Sequence, residues 1–312
     1  MKEPTLSVII PCYNEEKVIE ETFQRLSKVL SKNFRNYELI FINDGSTDKT
    51  LEILESIASK DKRVKIISFS RNFGHQPAVV AGLDNCKGNY AVIIDADLQD
   101  PPELIPEMYQ LAIEKKANVV YGVRVERKGE TFFKKYTAWL FYKIINFLSD
   151  VPLPENTGDF RLIDQRVIEE FRKLPEKNKY IRGLISWIGF KQIPYYYVRE
   201  PRFAGETKYP LSKMIRFAMT ALLYFSKKPL KLATSLGFIS ILLGLVLTVY
   251  VFLSIFLRPE IVLSGWASTI ITIIFFGGVQ LLTIGLIGEY IGSIFDEIKN
   301  RPIYIIDKKI NF

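Results

Sequence analysis

Short apolar runs alternate with amphipathic stretches between residues 6 and 123 of the chain. A continuous apolar run of roughly four to eight residues is typical of a strand buried on both faces of a parallel sheet. Apolar residues at helical spacing between these runs predict the intervening helices. We therefore predict an α/β fold with a doubly wound, mostly parallel sheet. The five predicted strands are residues 6–11, 37–42, 64–68, 90–95 and 118–123.

Two much longer apolar runs follow towards the C-terminus. Residues 232–257 contain no Asp, Glu, Lys or Arg, and neither do residues 261–288. Each run exceeds the roughly 20 residues that cross a bilayer as a helix. Two such runs in tandem predict a transmembrane hairpin, and the alternative is a pair of helices buried in a soluble domain. Glycines in and beside the second run allow close helix approach, which favours a homo-oligomer.

The segment before the hairpin is basic. Between Arg199 and Lys231 there are eight Lys or Arg residues and two Glu, a local balance of +6 within a chain of net charge +8. Residues 211–226 also place apolar side chains on one helical face, as in a helix lying in the membrane interface. A basic cluster beside a span indicates anionic lipid headgroups and argues against nucleic acid as a partner.

These features predict four segments and one orientation. We expect an α/β domain over residues 1–210, a basic amphipathic helix over 211–231, the hairpin over 232–288 and a tail over 289–312. By the positive-inside rule, the α/β domain and both termini face the cytosol in a multi-pass protein of the inner (plasma) membrane. The chain begins directly with a strand pattern, so we expect no signal peptide. Two cysteines and one histidine exclude a Cys/His zinc site and a disulfide framework.

The fourth predicted strand ends in a group of acids. Asp95 and Asp97 follow its apolar residues, and Asp100 with Glu103 predicts a capping box at the start of the next helix. Open α/β sheets bind ligands at the carboxyl ends of their strands. Two carboxylates separated by one residue suit a shared Mg²⁺ or Mn²⁺ that is completed by phosphate oxygens of a substrate. The alternative is an acidic turn in solvent.

Other strand ends predict a nucleotide site. Pro11, Tyr13 and Glu15 close the first strand, and Asp44 closes the second. An aromatic ring suits a base, carboxylates suit a ribose or a base edge, and a metal suits a diphosphate. The first strand is not followed by G-x-G-x-x-G, and G-x-x-x-x-G-K-[ST] is absent from the sequence. Dinucleotide oxidoreductases and P-loop enzymes are therefore disfavoured.

Four motifs in order resemble glycosyltransferase family 2. They are residues 11–15, 43–46, 70–76 and 95–103, and the likeness extends over essentially the whole chain, including the paired spans. Within the family, the chain most resembles the polyprenyl-phosphate glycosyltransferases, which include dolichyl-phosphate mannose synthase and the bacterial undecaprenyl-phosphate glucosyltransferases. One departure is Asn43, where many relatives carry a second acid before Asp44, and it leaves the donor base open.

The resemblance implies a GT-A-type fold and a set of donor-side residues. It places Asp95 and Asp97 at the metal and gives Asp97 a catalytic role. It places Gln99 towards the sugar, and it assigns Arg202 to a loop that closes over the donor phosphates. The residues that it assigns to the nucleotide sugar are Pro11, Tyr13, Glu15, Asp44, Asp95, Gln99 and Arg202.

The resemblance also implies an acceptor side. Arg124, Arg127 and Arg182 would hold the acceptor phosphate, and arginine suits bidentate phosphate recognition. The alternative for the first two is a basic turn in solvent. Asp159 would be a catalytic base or an acid that positions the acceptor, and the alternative is a turn cap beside Gly158. A phosphate monoester is already mostly ionised near neutral pH, which favours orientation and charge control for this acid.

Together these observations predict a metal-dependent, inverting glycosyltransferase. We expect it to move glucose from UDP-glucose to undecaprenyl (polyprenyl) phosphate at the cytosolic membrane face. GDP-mannose, UDP-N-acetylglucosamine and UDP-aminoarabinose are alternative donors. Two spans per chain argue against a processive polysaccharide synthase, and the acidic residues argue against a non-catalytic membrane scaffold. An aromatic stripe over residues 131–149 fits core packing, an interfacial helix or a subunit contact equally well.

Overall fold

The computed structural model describes residues 5–125, 157–177, 179–200, 228–257 and 266–312. The described residues form two compact units. The first contains the described residues up to 200 together with Asn300–Phe312, and the second contains the described residues from 228 to Lys299. Four of the earlier predictions lie outside the described residues. They are Arg127, Arg202, the aromatic stripe over 131–149 and the amphipathic helix over 211–226.

The first unit alternates strands with helices, as the apolar pattern predicts. All five predicted strands are present, each within two residues of its expected ends. In chain order the elements are β1 (Leu6–Cys12), α1 (Ile19–Asn33), β2 (Tyr37–Asn43), α2 (Thr50–Lys60), β3 (Val64–Phe69), α3 (His75–Asn85), β4 (Tyr90–Ile93), a short 3₁₀ helix (Pro102–Leu104), α4 (Ile105–Lys115), β5 (Val119–Arg124), β6 (Thr157–Asp164), α5 (Gln165–Lys173), α6 (Ile181–Ile188), β7 (Gln192–Tyr197) and β8 (Ile306–Ile310).

These strands form one sheet in the order β7-β5-β6-β4-β1-β2-β3-β8. The α/β class is confirmed, but the sheet is mixed rather than mostly parallel. Four of its strand pairs are parallel and three are antiparallel. The antiparallel pairs arise because β6 enters between β4 and β5, and because β8 closes the edge at β3.

Helices cover both faces of the sheet because its central strands are apolar on both sides. Val8 and Ile10 of β1 belong to the core that includes residues of α1, α2 and α4. Ile9, which points the other way, meets α3. A Cβ atom added to Gly82 of α3 would lie 2.2 Å from Ile9 Cγ2, so only glycine permits this approach of helix to sheet. The buried, continuous apolar run of β1 is thereby explained.

Strand β6 brings a distant part of the chain to the carboxyl end of β4. Ile93 of β4 lies opposite Arg161 of β6 in an antiparallel register. Asp95 follows Ile93 by two residues and Asp159 precedes Arg161 by two, so both acids lie beyond this pair at the same edge of the sheet. Val123 of β5 lies opposite Thr157. Because β6 is antiparallel, its amino end lies at the same sheet edge as the carboxyl ends of β1, β2, β4 and β5.

The last residues of the chain also belong to the sheet. Residues 300–312 form part of the expected tail, but Ile306–Ile310 pairs with β3 as an antiparallel edge strand. Lys308 bonds to Glu55 of α2, and Tyr304 bonds to Asp84 of α3. This strand covers what would otherwise be an open, apolar edge of β3.

The second unit contains the two long helices that the apolar runs predict. They are α7 (Lys228–Leu257) and α8 (Trp266–Ile298). Among the described residues, one helical stretch, Thr272–Ile298, is long and apolar enough to cross a membrane, and Ala233–Leu247 is a shorter apolar stretch. The presence of both helices is therefore confirmed, and the two membrane crossings stay a prediction.

Candidate active site

The loops after β1 and β2 are tied together by hydrogen bonds. The backbone N–H of Asn14 donates to Ser46 Oγ (3.0 Å), and Asn14 Oδ1 accepts from the backbone N–H of Thr47 (2.8 Å). The N–H of Glu15 donates to Thr50 Oγ1 (2.8 Å). Asn14 has a φ of +54°, a conformation that asparagine tolerates better than most residues. The two loops therefore form one fixed rim.

The rim contains three of the residues assigned to the nucleotide. Pro11 is buried within β1, whereas the side chain of Tyr13 is exposed just beyond the strand. Glu15 is half-buried and follows Tyr13 around the turn. The tyrosine ring is therefore accessible at this rim, and its contact with a base stays a prediction.

Asp44 holds the loop that leads into α3. This residue is buried, with an exposed fraction of 3 %. Its carboxylate accepts hydrogen bonds from the backbone N–H groups of Phe73 (2.6 Å) and Gly74 (2.9 Å). Burial raises the pKa of Asp44, and these two N–H groups oppose that rise. Its assignment to the nucleotide stays a prediction, and in this structure it fixes residues 73 and 74.

Gly45 allows the same loop to approach β2 closely. Its φ is +63°, and a Cβ atom added there would lie 2.4 Å from the backbone carbon of Arg71. The side chain of Asn72 donates to the carbonyl of Asp44 (3.2 Å) in the same contact. No L side chain fits this position without moving the backbone, which explains the glycine of the motif.

The acidic turn after β4 contains the residues predicted to bind the metal. Asp97 Oδ1 accepts from the backbone N–H of Gln99 (3.2 Å), and Leu98 between them has a φ of +57°. Burial, more than any other cause, raises the pKa of Asp95 to about 6, and the charges of the neighbouring acids contribute in the same direction. His75 opposes that rise. Negative charge is therefore concentrated at this turn.

Asp159 accepts hydrogen bonds from three side chains at the amino end of β6. Its Oδ2 atom lies 2.9 Å from His75 Nε2 and accepts from Gln76 Nε2 at 3.2 Å. Its Oδ1 atom accepts from Arg182 Nε at 2.7 Å. The Nη1 atom of Arg182 donates to the carbonyl of Thr157 (2.8 Å). Asp159 is thus part of a strand and a network, not the cap of a solvent-exposed turn.

The charge states of Asp159 and His75 are set by the groups around them. Burial alone would raise the pKa of Asp159, but Arg182 and the hydrogen bond from His75 hold that pKa well below the usual range. Burial would lower the pKa of His75, whereas its bond to Asp159 and the charge of Asp95 raise it to about 9. At neutral pH, two cations therefore flank one carboxylate. A carboxylate with such a low pKa is a weak general base.

Asp100 is not the helix cap that its sequence position predicts. Pro101 precedes the 3₁₀ helix as its N-cap residue, and no side chain caps that helix. The fully buried Asp100 instead accepts from the hydroxyl of Tyr197. Arg124 Nη2 lies 3.7 Å and Arg199 Nε lies 3.4 Å from its carboxylate oxygens. Burial of the carboxylate among these partners outweighs the local preference for a cap.

Glu103, the other half of the expected capping box, also has a long-range partner. Arg25 of α1 donates two hydrogen bonds of 2.7 Å to Glu103 and two further ones to Glu200 (2.9 and 3.2 Å). The N–H of Glu200 donates to the carbonyl of Gln99 (2.9 Å). The acidic turn is therefore fastened to α1 and to the segment after β7.

The side chains of Asp95 and Asp97 are chemically suited to bind a divalent cation. Both are carboxylates at a strand end, and carboxylate oxygens are the protein ligands that Mg²⁺ and Mn²⁺ prefer. In the part of the chain that the structure describes, no group of three or more His, Cys, Asp or Glu side chains is arranged to hold a metal. Two carboxylates leave the remaining coordination positions to phosphate oxygens and water, which is usual for Mg²⁺.

The structure thus gathers most of the predicted residues at one sheet edge. Those that it describes there are Tyr13, Asp44, Asp95, Asp97, Gln99, Arg124, Asp159 and Arg182. The sequence-based prediction missed His75, Gln76, Asp100 and Arg199 as members of this site. The sequence did offer a reason to consider His75, because this residue is the single histidine of the chain and lies within the motif over residues 70–76.

Comparison with known proteins agrees with this architecture. The model of glycosyl transferase family 2 matches residues 7–172, and the model of the GtrB C-terminal hairpin matches residues 228–294. The first match covers more than half of the chain and includes β1 to β6. The chain therefore belongs to glycosyl transferase family 2, as its motifs predict.

Relatives match both segments along nearly their full lengths. The uncharacterized glycosyltransferase YkcC of Bacillus subtilis is 51 % identical over 97 % of this chain and 93 % of that protein. The SfII prophage-derived bactoprenol glucosyl transferase of Shigella flexneri is 38 % identical over 97 % of each chain. The prophage bactoprenol glucosyl transferase homolog of Escherichia coli K12 is 36 % identical over 97 % of this chain and 98 % of that protein.

Solved structures are more distant. Glucosyl-3-phosphoglycerate synthase from Mycobacterium tuberculosis, in complex with Mn²⁺, UDP and phosphoglyceric acid, superimposes with a TM-score of 0.49 at 21 % identity. The match covers 70 % of this chain and 76 % of that chain. A similarity this distant says nothing about the ligands of the present protein.

Proposed function

We propose that this protein is a membrane-anchored, metal-dependent inverting glycosyltransferase that moves glucose from UDP-glucose to undecaprenyl phosphate. The observation that carries the proposal is the full-length similarity to proteins named bactoprenol glucosyl transferase. That similarity includes the C-terminal hairpin as well as the α/β domain. A shared hairpin favours a shared lipid acceptor, because a soluble acceptor would not need a membrane anchor.

The donor would occupy the edge formed by β1, β2 and β4. Tyr13 lies at the rim for the base, and Asp95 and Asp97 would hold Mg²⁺ or Mn²⁺. When bound, the cation would stabilise the negative charge that develops on the leaving diphosphate. The backbone of Gln99 is fixed by hydrogen bonds with Asp97 and Glu200, which supports the proposal that its side chain contacts the sugar.

The acceptor would occupy the edge formed by β5, β6 and α6. Arg124 and Arg182 supply positive charge for the phosphate of the lipid. Asp159 orients Arg182 through the 2.7 Å hydrogen bond instead of removing a proton. The phosphate oxygen is already ionised, so it attacks the anomeric carbon as the diphosphate leaves from the opposite side.

The connectivity supports membrane anchoring through both helices. The chain leaves the first unit before α7 and returns to it after α8, because residues 300–312 include β8 of the same sheet. If α7 crosses a membrane, α8 must cross it in the opposite direction. The basic residues before α7 favour the cytosolic side for the α/β domain.

A donor panel tests this function. Purified protein in detergent receives undecaprenyl phosphate, Mn²⁺ or Mg²⁺, and separately UDP-glucose, UDP-N-acetylglucosamine, UDP-aminoarabinose or GDP-mannose. We expect glycolipid from UDP-glucose, and we expect EDTA or Asp97→Asn to abolish it. Product from a different donor would move the proposal to that sugar. The absence of glycolipid from every donor would contradict it.

A further inference from the structure

His75 occupies the space between the two functional carboxylates of the site. Its Nε2 atom lies 2.9 Å from Asp159 Oδ2 and 3.8 Å from Asp95 Oδ1. Asp95 follows β4 and Asp159 lies in β6, so the imidazole is hydrogen-bonded to one acid and lies within ion-pair distance of the other. None of the roles implied by the family motifs includes this residue.

The position of the imidazole is fixed from several directions. His75 is the first residue of α3, and it follows Gly74, whose N–H donates to Asp44. The next residue, Gln76, donates to Asp159 and accepts from the backbone N–H of Ile181 (3.1 Å). A quarter of the His75 side chain remains exposed, so the ring faces the open side of the site.

Asp95 and Asp159 belong to different substrates in the proposed function. Asp95 lies on the donor and metal side, and Asp159 orients the arginine on the acceptor side. The imidazole between them is hydrogen-bonded to Asp159 and lies 3.8 Å from Asp95, so it separates the two acids and connects both to the start of α3. The distance between donor and acceptor then depends on the group between the two acids.

We propose that His75 is a positioning residue that bridges Asp95 and Asp159 and thereby sets the donor site against the acceptor site. The proposal rests on the proposed function for the identity of the two substrates. The bridge itself rests on the two distances and on the register of β4 with β6. His75 acts through the two acids and forms or breaks no bond.

The bridge can be tested without turnover because the chain contains a single histidine. Protein labelled with ¹⁵N-histidine in detergent gives the signals of one imidazole. We expect Asp95→Asn and Asp159→Asn each to shift those signals. Arg172→Gln is the matched control, since Arg172 bonds to the carbonyls of Leu83 and Cys86 at the opposite end of α3. An unchanged signal in Asp95→Asn would overturn the bridge.

Kinetics test the positioning role. We expect His75→Gln to lower kcat by roughly 10- to 100-fold, as for other residues that orient a metal-binding side chain, while KM for the donor changes by less than about threefold. Arg172→Gln should lower thermal stability and leave kcat near that of the wild type.

Two kinetic results would overturn the proposal. One is a His75→Gln variant whose kcat stays within about threefold of the wild type, since positioning residues cost more than that. The other is an equal loss in His75→Gln and Arg172→Gln, which would assign the effect to the folding of α3. If the wild-type protein makes no glycolipid from any donor, the proposed function fails, and the imidazole signals still decide whether the bridge exists.

Discussion

At the scale of single residues, the low pKa of Asp159 argues against a role as a general base. A carboxylate held ionised by Arg182 and His75 does not take up a proton in the working pH range. We therefore expect no limb of the pH–rate profile to belong to Asp159. The second ionisation of the acceptor phosphate, near pH 6, should produce a limb of its own, measured at saturating Mn²⁺ because the pKa of metal-free Asp95 is also raised to about 6.

Asp159→Asn separates these two expectations. We expect turnover to fall by roughly 10- to 100-fold, because Arg182 and His75 lose the charge that anchors them. The limb near pH 6 should remain in the pH profile of kcat/KM, measured from about pH 5 to pH 8. A limb that disappears in the variant would instead show that Asp159 acts as a base. Near-normal turnover would show that its charge is dispensable.

A second residue-scale prediction concerns Gly158, which lies against Arg124. A Cβ atom added to Gly158 would lie 2.4 Å from Arg124 Nη2, the end of a flexible side chain. In Gly158→Ala the guanidinium should therefore move while the backbone stays in place. We expect KM for the lipid acceptor to rise several-fold with little change in Tm. An unchanged KM would argue against a phosphate contact by Arg124.

The residues of the candidate site show which positions can be predicted from local sequence patterns. Asp95, Asp97 and Asp44 follow apolar strands directly, so their place at the sheet edge was predictable from the chain order. Asp100 was wrongly predicted as a cap, because its real partners come from later parts of the chain: Arg124 from β5, Tyr197 from β7 and Arg199 from the segment after β7. His75 was missed for the same reason, since its role depends on Asp159, 84 residues away.

At the scale of elements, the loop over residues 70–74 is held by the turn at Gly45. Gly45 and Gly189 both have positive φ values, but only Gly45 has backbone atoms where a Cβ would be. We expect Gly189→Ala to cost about 1–2 kcal/mol from conformation alone. Gly45→Ala should cost roughly 3 kcal/mol or more, because the loop must also move.

Thermal unfolding of the two glycine variants measures this difference. Gly45→Ala should have the lower Tm and the weaker affinity for UDP by calorimetry. Gly189→Ala serves as the control for the cost of the positive φ. Equal Tm values would show that the loop can move away from β2 without loss, which would contradict the close approach seen at Arg71.

The strands show what the sequence could not reveal. The five strands that alternate with helices were predicted because each is a continuous apolar run. The place of β6 between β4 and β5 was not predictable, since antiparallel insertion depends on pairing between residues about 70 positions apart. Strand β8 was also missed. Strand Ile306–Ile310 has five residues, and two of them are Lys308 and Lys309. Its pattern of apolar and polar residues is therefore too short to be distinguished from a basic tail.

At the scale of the whole molecule, β8 constrains the membrane topology. Strand β7 precedes the two long helices in the chain, β8 follows them, and both strands belong to one sheet. We therefore expect residues 87 and 307 on the same side of the membrane. Lys87→Cys and Asp307→Cys should react with an impermeant maleimide only after lysis, and Ser264→Cys should react in intact cells. The native Cys12 and Cys86 are buried and give little background. Labelling of Asp307→Cys in intact cells would contradict a hairpin.

The most direct test of the central claim is the structure of the product. UDP-glucose carries an α-linked sugar, and attack by the acceptor phosphate from the opposite side inverts that centre. We therefore predict that purified protein, Mn²⁺, UDP-glucose and undecaprenyl phosphate yield a β-linked glucosyl phospholipid, identified by mass spectrometry and by the anomeric proton coupling in NMR. An α-linked product, or UDP release with free glucose and no glycolipid, would contradict the account.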